Sequence, residues 1–128
     1  MNLVSPLLEL PLMIGDRERV ESALRHSVQT ADAYLTEIAS HLIVAGGKRL
    51  RPVLAVAAAQ VGTDAPVADQ VIQGAIACEL VHLGSLYHDD VMDESTTRRG
   101  VETVNAKWGN LQAIVAGDFL LARASEIA

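Results

Sequence analysis

The run His88-Asp89-Asp90-Val91-Met92-Asp93-Glu94 crowds four carboxylates into six positions. Asp89 and Asp93 stand four residues apart, so on a helix both project from one face, about 6 Å apart, with Asp90 turned to the side. Carboxylates that close repel one another, and a shared hard cation relieves the repulsion. Their oxygens suit Mg2+, which keeps several waters and bridges to substrate phosphates. Taken alone, a DDxxD spacing also fits a solvated helix end.

Two basic segments strengthen the cation reading. GGKRLRP at 46–52 joins two glycines, which let backbone N–H groups approach a ligand, to Lys48 and Arg51 and to the start of a helix whose dipole favours anions. That combination describes a diphosphate cradle, and the plain alternative is a helix-to-helix turn with solvated cations. Arg98-Arg99-Gly100 places guanidinium forks just past the carboxylates, where a second diphosphate would sit. His82 lies seven residues before Asp89, about 10 Å along a helix axis, where it would donate to a phosphate oxygen or serve as a satisfied core histidine. His88 beside Asp89, with His41, suggests a rival histidine-aspartate metal site of the phosphohydrolase kind, but that rival explains neither GGKRLRP nor the spacing of Asp93. Cys78 reads as a buried small hydrophobe, Trp108 as a packing residue and Asp118 as a helix carboxylate with no nameable partner.

The elements that must hold these groups are helical. A first pattern starts near Asp16, a candidate N-cap, runs through Val20, Leu24, Val28, Ala31, Leu35, Ile38 and Leu42, and stops at Gly46-Gly47. Pro52 suits the first turn of a second helix that ends at Gly62. The third and longest covers about residues 65–93, opened by Asp64 and Pro66, with Val67, Val71, Ala75, Cys78, His82, Ser85 and Asp89 at helical spacing. A loop at 94–100, a helical turn at 104–108 and a last helix capped by Asn110 complete the chain. No stretch alternates apolar and polar residues convincingly, so the expected fold is an all-α helical bundle forming one unit over 1–128.

The 128 residues are 50% apolar and 20% charged, with mean hydropathy +0.25 and a net charge of −6. Such a chain folds; it is not disordered. Its acidity argues against a nucleic-acid binder. The longest apolar run, residues 53–59, is far too short to cross a bilayer, and MNLVSPLLELPL lacks the basic start of a secretory signal, so a cytoplasmic location is expected. The single cysteine rules out an internal disulfide and a multi-cysteine zinc site.

GGKRLRP at 46–52, ELVHLGSLYHDDVMDESTTRRG at 79–100, and TVNAKWGN followed by AGDFLLARA at 103–124 together resemble the trans-isoprenyl diphosphate synthases, or polyprenyl synthetases, in order and spacing. The resemblance implies the amino-terminal part of the isoprenoid synthase fold and a head-to-tail prenyl transfer. In that reaction an allylic diphosphate held through Mg2+ ionises at C1, is attacked by the double bond of isopentenyl diphosphate, and loses a proton. By motif, Lys48, Arg51, His82 and Arg99 would bind isopentenyl diphosphate, Asp89 and Asp93, with Asp90 beside them, would hold Mg2+, and Arg98 would contact the allylic diphosphate.

In this family bulky aromatics one turn before the aspartates resemble a floor under the growing chain. Gly84 and Ser85 are small there, which implies a medium or long all-trans product. Tyr87 departs from the expected aliphatic residue and is read as part of the pocket wall. Family members are more than twice this long and carry a second aspartate-rich motif, absent from these residues. The 128-residue chain is therefore expected to be inactive alone, to expose on its last helix an apolar face meant for the absent half, and to form a homodimer as the family does. The alternatives are a non-catalytic helical subunit partnering a longer synthase, and a terpene cyclase, which GGKRLRP counts against because a cyclase has no isopentenyl diphosphate to bind.

Overall fold

A computed structural model describes residues 5–128; the reading of the first four as part of a leader without a basic start lies outside the described residues. Seven helices and one short hairpin follow in the order α1 (Ser5–Leu8), α2 (Met13–Ser27), α3 (Ala33–Ala45), α4 (Leu50–Gln60), α5 (Asp69–Met92), β1 (Thr97–Arg98), β2 (Val101–Glu102), α6 (Val104–Trp108) and α7 (Asn110–Ile127). The all-α expectation holds apart from the hairpin. No helix among the described residues is long and apolar enough to cross a membrane.

Helix α5 is the axis of the molecule, packed against α7, α4 and α2. Ile72, Ile76, Leu80 and Leu83 of α5 join Leu24, Leu42, Ile43, Val56 and Leu120 in one buried cluster, and this apolar burial is what drives the helices together. Where α5 crosses α7, Gly84 and Gly117 face each other. A Cβ at Gly84 would stand 2.9 Å from Leu121 Cγ and 3.0 Å from the Gly117 carbonyl, and one at Gly117 would stand 2.5 Å from the His88 ring.

Several expected boundaries shift, each for a local reason. The first long helix is two, α2 and α3, broken at residues 28–32. Asp32 caps α3 by accepting from the Tyr34 and Leu35 N–H groups at 2.9 and 3.3 Å, and the Thr30 and Thr36 hydroxyls pair at 2.9 Å beside it. Asp16 is not an N-cap, because α2 already begins at Met13. The longest helix starts at Asp69, four residues later than expected. Asn110 is the first residue of α7, while the preceding Gly109, at φ 96°, makes the turn. The expected loop at 94–100 contains β1 and its turn: Thr97 pairs with Glu102 and Arg98 with Val101. The central residues Arg99 and Gly100 lie at φ 54° and 77°, the sign a two-residue hairpin turn demands.

Asp16 instead lies buried inside α2, where it ties three elements together. Its carboxylate accepts from Arg19 at 2.8 Å, the Gln60 amide at 2.9 Å and the Val67 N–H at 3.2 Å. Burial pushes its pKa up, but the hydrogen bonds from Gln60, Val67 and Arg19 and the Arg19 charge outweigh that and hold it below the ordinary value. Because the folded pKa is the lower one, the stabilisation is complete above the unfolded carboxylate pKa of about 4 and is lost as pH falls through the folded value. Asp16→Ala is expected to cost about 2–3 kcal/mol in urea unfolding at pH 7, and the gap from the parent chain should narrow on acidification below about pH 4.

Candidate functional site

The carbonyls of the last turn of α3 form the negative end of its dipole, and of these Ile43 O accepts from the Gly46 N–H at 3.1 Å. Arg49, buried and at φ 51°, donates to Ile43 O from Nη2 at 3.0 Å, and its Nε bonds Glu21 of α2. Arg99 donates from Nη1 to Leu42 O at 3.0 Å and also to Gly46 O. Positive φ is uncommon for a residue with a side chain, and here two arginines adopt it so that both reach one helix end. They meet over Gly47, where a Cβ would come to 3.0 Å from Arg99 Cζ and 3.2 Å from Arg49 Nη1. No other residue fits at that position without displacing a guanidinium.

Lys48 and Arg51 flank this pair and are exposed at the start of α4. Glu79 of α5 lies beneath, buried, with Oε1 at 4.0 Å from Arg49 Nη1. Burial pushes the Glu79 pKa up against the pull of Arg49, Arg99 and Arg51. One turn further on, His82 is half-buried; burial first, and then Arg51, Arg99 and Arg98, push its pKa below the ordinary value. The imidazole therefore stands neutral at pH 7, as a hydrogen-bond donor among guanidinium groups.

At the other end of the site Asp89 and Asp93 are exposed on the last turn of α5, where the Asp93 N–H donates to Asp89 O at 2.8 Å. Asp90 faces inward. Its two oxygens receive Arg98 Nε at 2.8 Å and Nη2 at 2.8 Å, a two-pronged pair that is nearly closed to water on the aspartate side. Asp90 thus holds Arg98, and its oxygens are already taken, unlike those of Asp89 and Asp93. Two open carboxylates on one helix turn match the donor chemistry of Mg2+, which takes one or two carboxylates and completes its shell with water and phosphate. Among the described residues no group of three His, Cys, Asp or Glu side chains is placed to hold a metal by itself.

The rival histidine site does not assemble. His88 turns away from Asp89 toward α7, 3.1 Å from Ile114 O and 3.2 Å from Asp118 Oδ1, which supplies the partner that Asp118 lacked in the sequence reading. His41 bonds Glu102 O at 2.7 Å and meets Trp108 edge-on, so Trp108 packs as expected. Cys78 is exposed rather than buried, because it lies on the face of α5 opposite Leu80 and Leu83. Tyr87 is not a pocket wall: it is buried, with its hydroxyl donating to Ile38 O at 2.7 Å. Gly84 belongs to the α5–α7 crossing, whereas Ser85 is exposed on the side of Asp89. Arg49 and Glu79 are the residues the sequence did not single out. Arg49 reads there only as part of a basic run, and nothing in the sequence marks Glu79 as buried.

The family model for polyprenyl synthetase matches residues 32–128. A nonaprenyl diphosphate synthase of Mycobacterium tuberculosis is 47% identical over 109 residues, which cover 85% of this chain and 32% of that protein. Heptaprenyl diphosphate synthase component 2 of Geobacillus stearothermophilus is 44% identical over 87% of this chain and 34% of its own length. The chain thus spans about a third of the length of these relatives. A crystal structure of polyprenyl synthase from Caulobacter crescentus CB15, complexed with calcium and isoprenyl diphosphate, superposes with a TM-score of 0.86 at 41% identity, over 97% of this chain and 37% of that one.

The division of the acidic cluster is open to measurement. Asp90→Asn is expected to lower unfolding stability by about 2 kcal/mol, since it leaves Arg98 without its charged partner. Asp89→Asn and Asp93→Asn should stay within about 0.5 kcal/mol of the parent chain in the same urea titration without added metal.

Proposed function

Since the chain belongs to the polyprenyl synthetase family, we propose that it forms the amino-terminal part of a prenyltransferase that adds isopentenyl diphosphate head-to-tail to an allylic diphosphate. The observation that carries this reading is the layout along one helix. Arg51 and Arg99 lie close to His82 of α5, with Lys48 exposed just before α4, and two open carboxylates follow about 10 Å further along the α5 axis. That is room for two diphosphates side by side, one on the cations and one bridged to the carboxylates.

In this mechanism Lys48, Arg51 and the neutral His82 bind the diphosphate of isopentenyl diphosphate, with Arg99 fixed beside them by α3. Arg98, pinned by Asp90, presents its guanidinium to the allylic diphosphate, whose negative charge grows as its C1–O bond breaks. Asp89 and Asp93 hold Mg2+, which when bound supplies the positive charge that stabilises the leaving diphosphate. Because Arg98 and Arg99 are set before any ligand arrives, little reorganisation is needed as that charge develops. The small, exposed Ser85, on the side of Asp89, supports a medium or long product, while Gly84 is excluded from that role by its packing.

A homodimer in the cytoplasm completes the proposal, while the exposed Leu111, Ile114 and Val115 on α7 suit the apolar face expected to receive the rest of the synthase. The name of the Geobacillus relative, a synthase component, favours a second reading in which the chain is a helical subunit of an unequal complex. Light scattering separates the two, because a self-paired chain supports the first and a complex only with a longer synthase supports the second.

The direct test incubates the chain with labelled isopentenyl diphosphate, farnesyl diphosphate and Mg2+ and resolves products by chain length. Extended products are expected only when a polypeptide bearing the family's second aspartate-rich motif is also present, and a ladder from these residues alone would overturn that division of the site. In calorimetric titrations with isopentenyl diphosphate, Lys48→Ala and Arg51→Ala should each weaken binding about tenfold, the loss of one charged hydrogen bond of about 1.5 kcal/mol.

A further inference from the structure

Glu79 is the one carboxylate of α5 that points into the body of the protein with no close partner. Its residue is 2% exposed, its Oε1 is 4.0 Å from Arg49 Nη1, and its Oε2 makes no hydrogen bond among the described residues. A buried carboxylate is costly unless it is neutralised, so its presence calls for a use. Directly above it, Arg49 and Arg99 come together over Gly47. Two guanidinium groups at that distance repel. The α3 carbonyls offset part of the repulsion with partial charges, and Glu21 offers Arg49 a carboxylate on the partly exposed side. Glu79 places a carboxyl group on the buried side, 4.0 Å from Arg49 and one turn before His82.

We infer that Glu79 is a positioning residue of the diphosphate site: its carboxylate draws Arg49 and, alongside it, Arg99 inward, and so fixes the cluster that Lys48, Arg51 and His82 complete. This inference rests on the reading of that cluster as a diphosphate site. It makes a prediction opposite in sign to simple electrostatics. Removing a negative charge beneath an anion site raises the local positive potential and should tighten anion binding. If Glu79 positions the guanidinium groups, its removal lets them splay, and binding weakens although the site has become more positive.

The test compares the full chain with its Glu79→Gln and Glu79→Asp variants. Isopentenyl diphosphate binding is measured by calorimetry, the arginine Nε–H signals by NMR and the melting temperature on the same samples. Glu79→Gln is expected to weaken binding at least tenfold and to shift or broaden the Arg49 and Arg99 signals while the protein stays folded. Glu79→Asp, which keeps the charge but withdraws it by one methylene, should give a smaller loss of the same sign. Unchanged or tighter binding by Glu79→Gln, with unmoved arginine signals, overturns the inference. If the parent chain binds no isopentenyl diphosphate, the reading of the site as a diphosphate cradle fails, and the arginine signals alone then decide the positioning role: moved supports it, unmoved overturns it. If Glu79→Gln does not fold, Glu79→Asp is judged by the same two outcomes.

Discussion

Leu42, Ile43 and Gly46 present carbonyls at the end of α3, where Ile43 O already accepts from the Gly46 N–H at 3.1 Å, and guanidinium groups from residues 49 and 99 bond all three. Most of the site follows from that capture. Arg49 anchors the start of α4, so Lys48 and Arg51 project on either side of a fixed point. Arg99 anchors the hairpin, so the neighbouring Arg98 is carried to α5, where Asp90 receives it. Both arginines adopt a backbone conformation that side chains disfavour, and their bonds to α3 offset the strain. A glycine at 47 is required for the same reason, since the two side chains occupy the space a Cβ would fill.

The second constraint is the close crossing of α5 and α7. Gly84 and Gly117 allow the backbones to approach, and His88 fills the remaining gap while reaching Asp118. This fixes the rotation of α5 about its own axis. With His88 and Tyr87 both directed into the protein, Asp89 and Asp93 must face out, and Asp90 must face Arg98. Ser95 O, which accepts from Thr103 Oγ1 at 2.8 Å and Asn105 Nδ2 at 2.9 Å, then ties the hairpin to α6 and holds the loop after the aspartates in place.

Helical periodicity made the core of α2 and α3 legible: Val20, Leu24, Val28, Ile38 and Leu42 fall on buried faces because a period of 3.6 residues is imposed by backbone geometry. On α5 it misled, because the stripe through Cys78, Ser85 and Asp89 is exposed while Ile72, Ile76, Leu80 and Leu83 are buried. The type and spacing of Lys48, Arg51, His82, Asp89 and Asp93 were legible for the same reason, as they all ride on helices or helix ends. The break between α2 and α3 was visible in principle, since Thr30, Asp32 and Thr36 carry the capping groups, but the apolar pattern ran across it and dominated. What the sequence could not show depends on long-range contacts. Asp90 resembles its neighbours until Arg98, eight residues on, is folded back onto it. Glu79 and Cys78 are adjacent, and only the packing of α4 and α7 around α5 decides which one is enclosed.

Helix α5 ends with Asp89, Asp90 and Asp93 and no basic residue in its last turn, against the preference of its own dipole. Arg98 corrects this for Asp90 alone. The final turn therefore keeps an electrostatic cost that only a cation can relieve, and its order and its affinity for cations are linked quantities. Any cation that binds Asp89 and Asp93 must raise the protection of the amides at 92 and 93 by the same free energy with which the ordered turn improves that cation's binding. The turn is in effect a reporter, and hydrogen exchange at two backbone positions reads the occupancy of the site without any reaction having to take place.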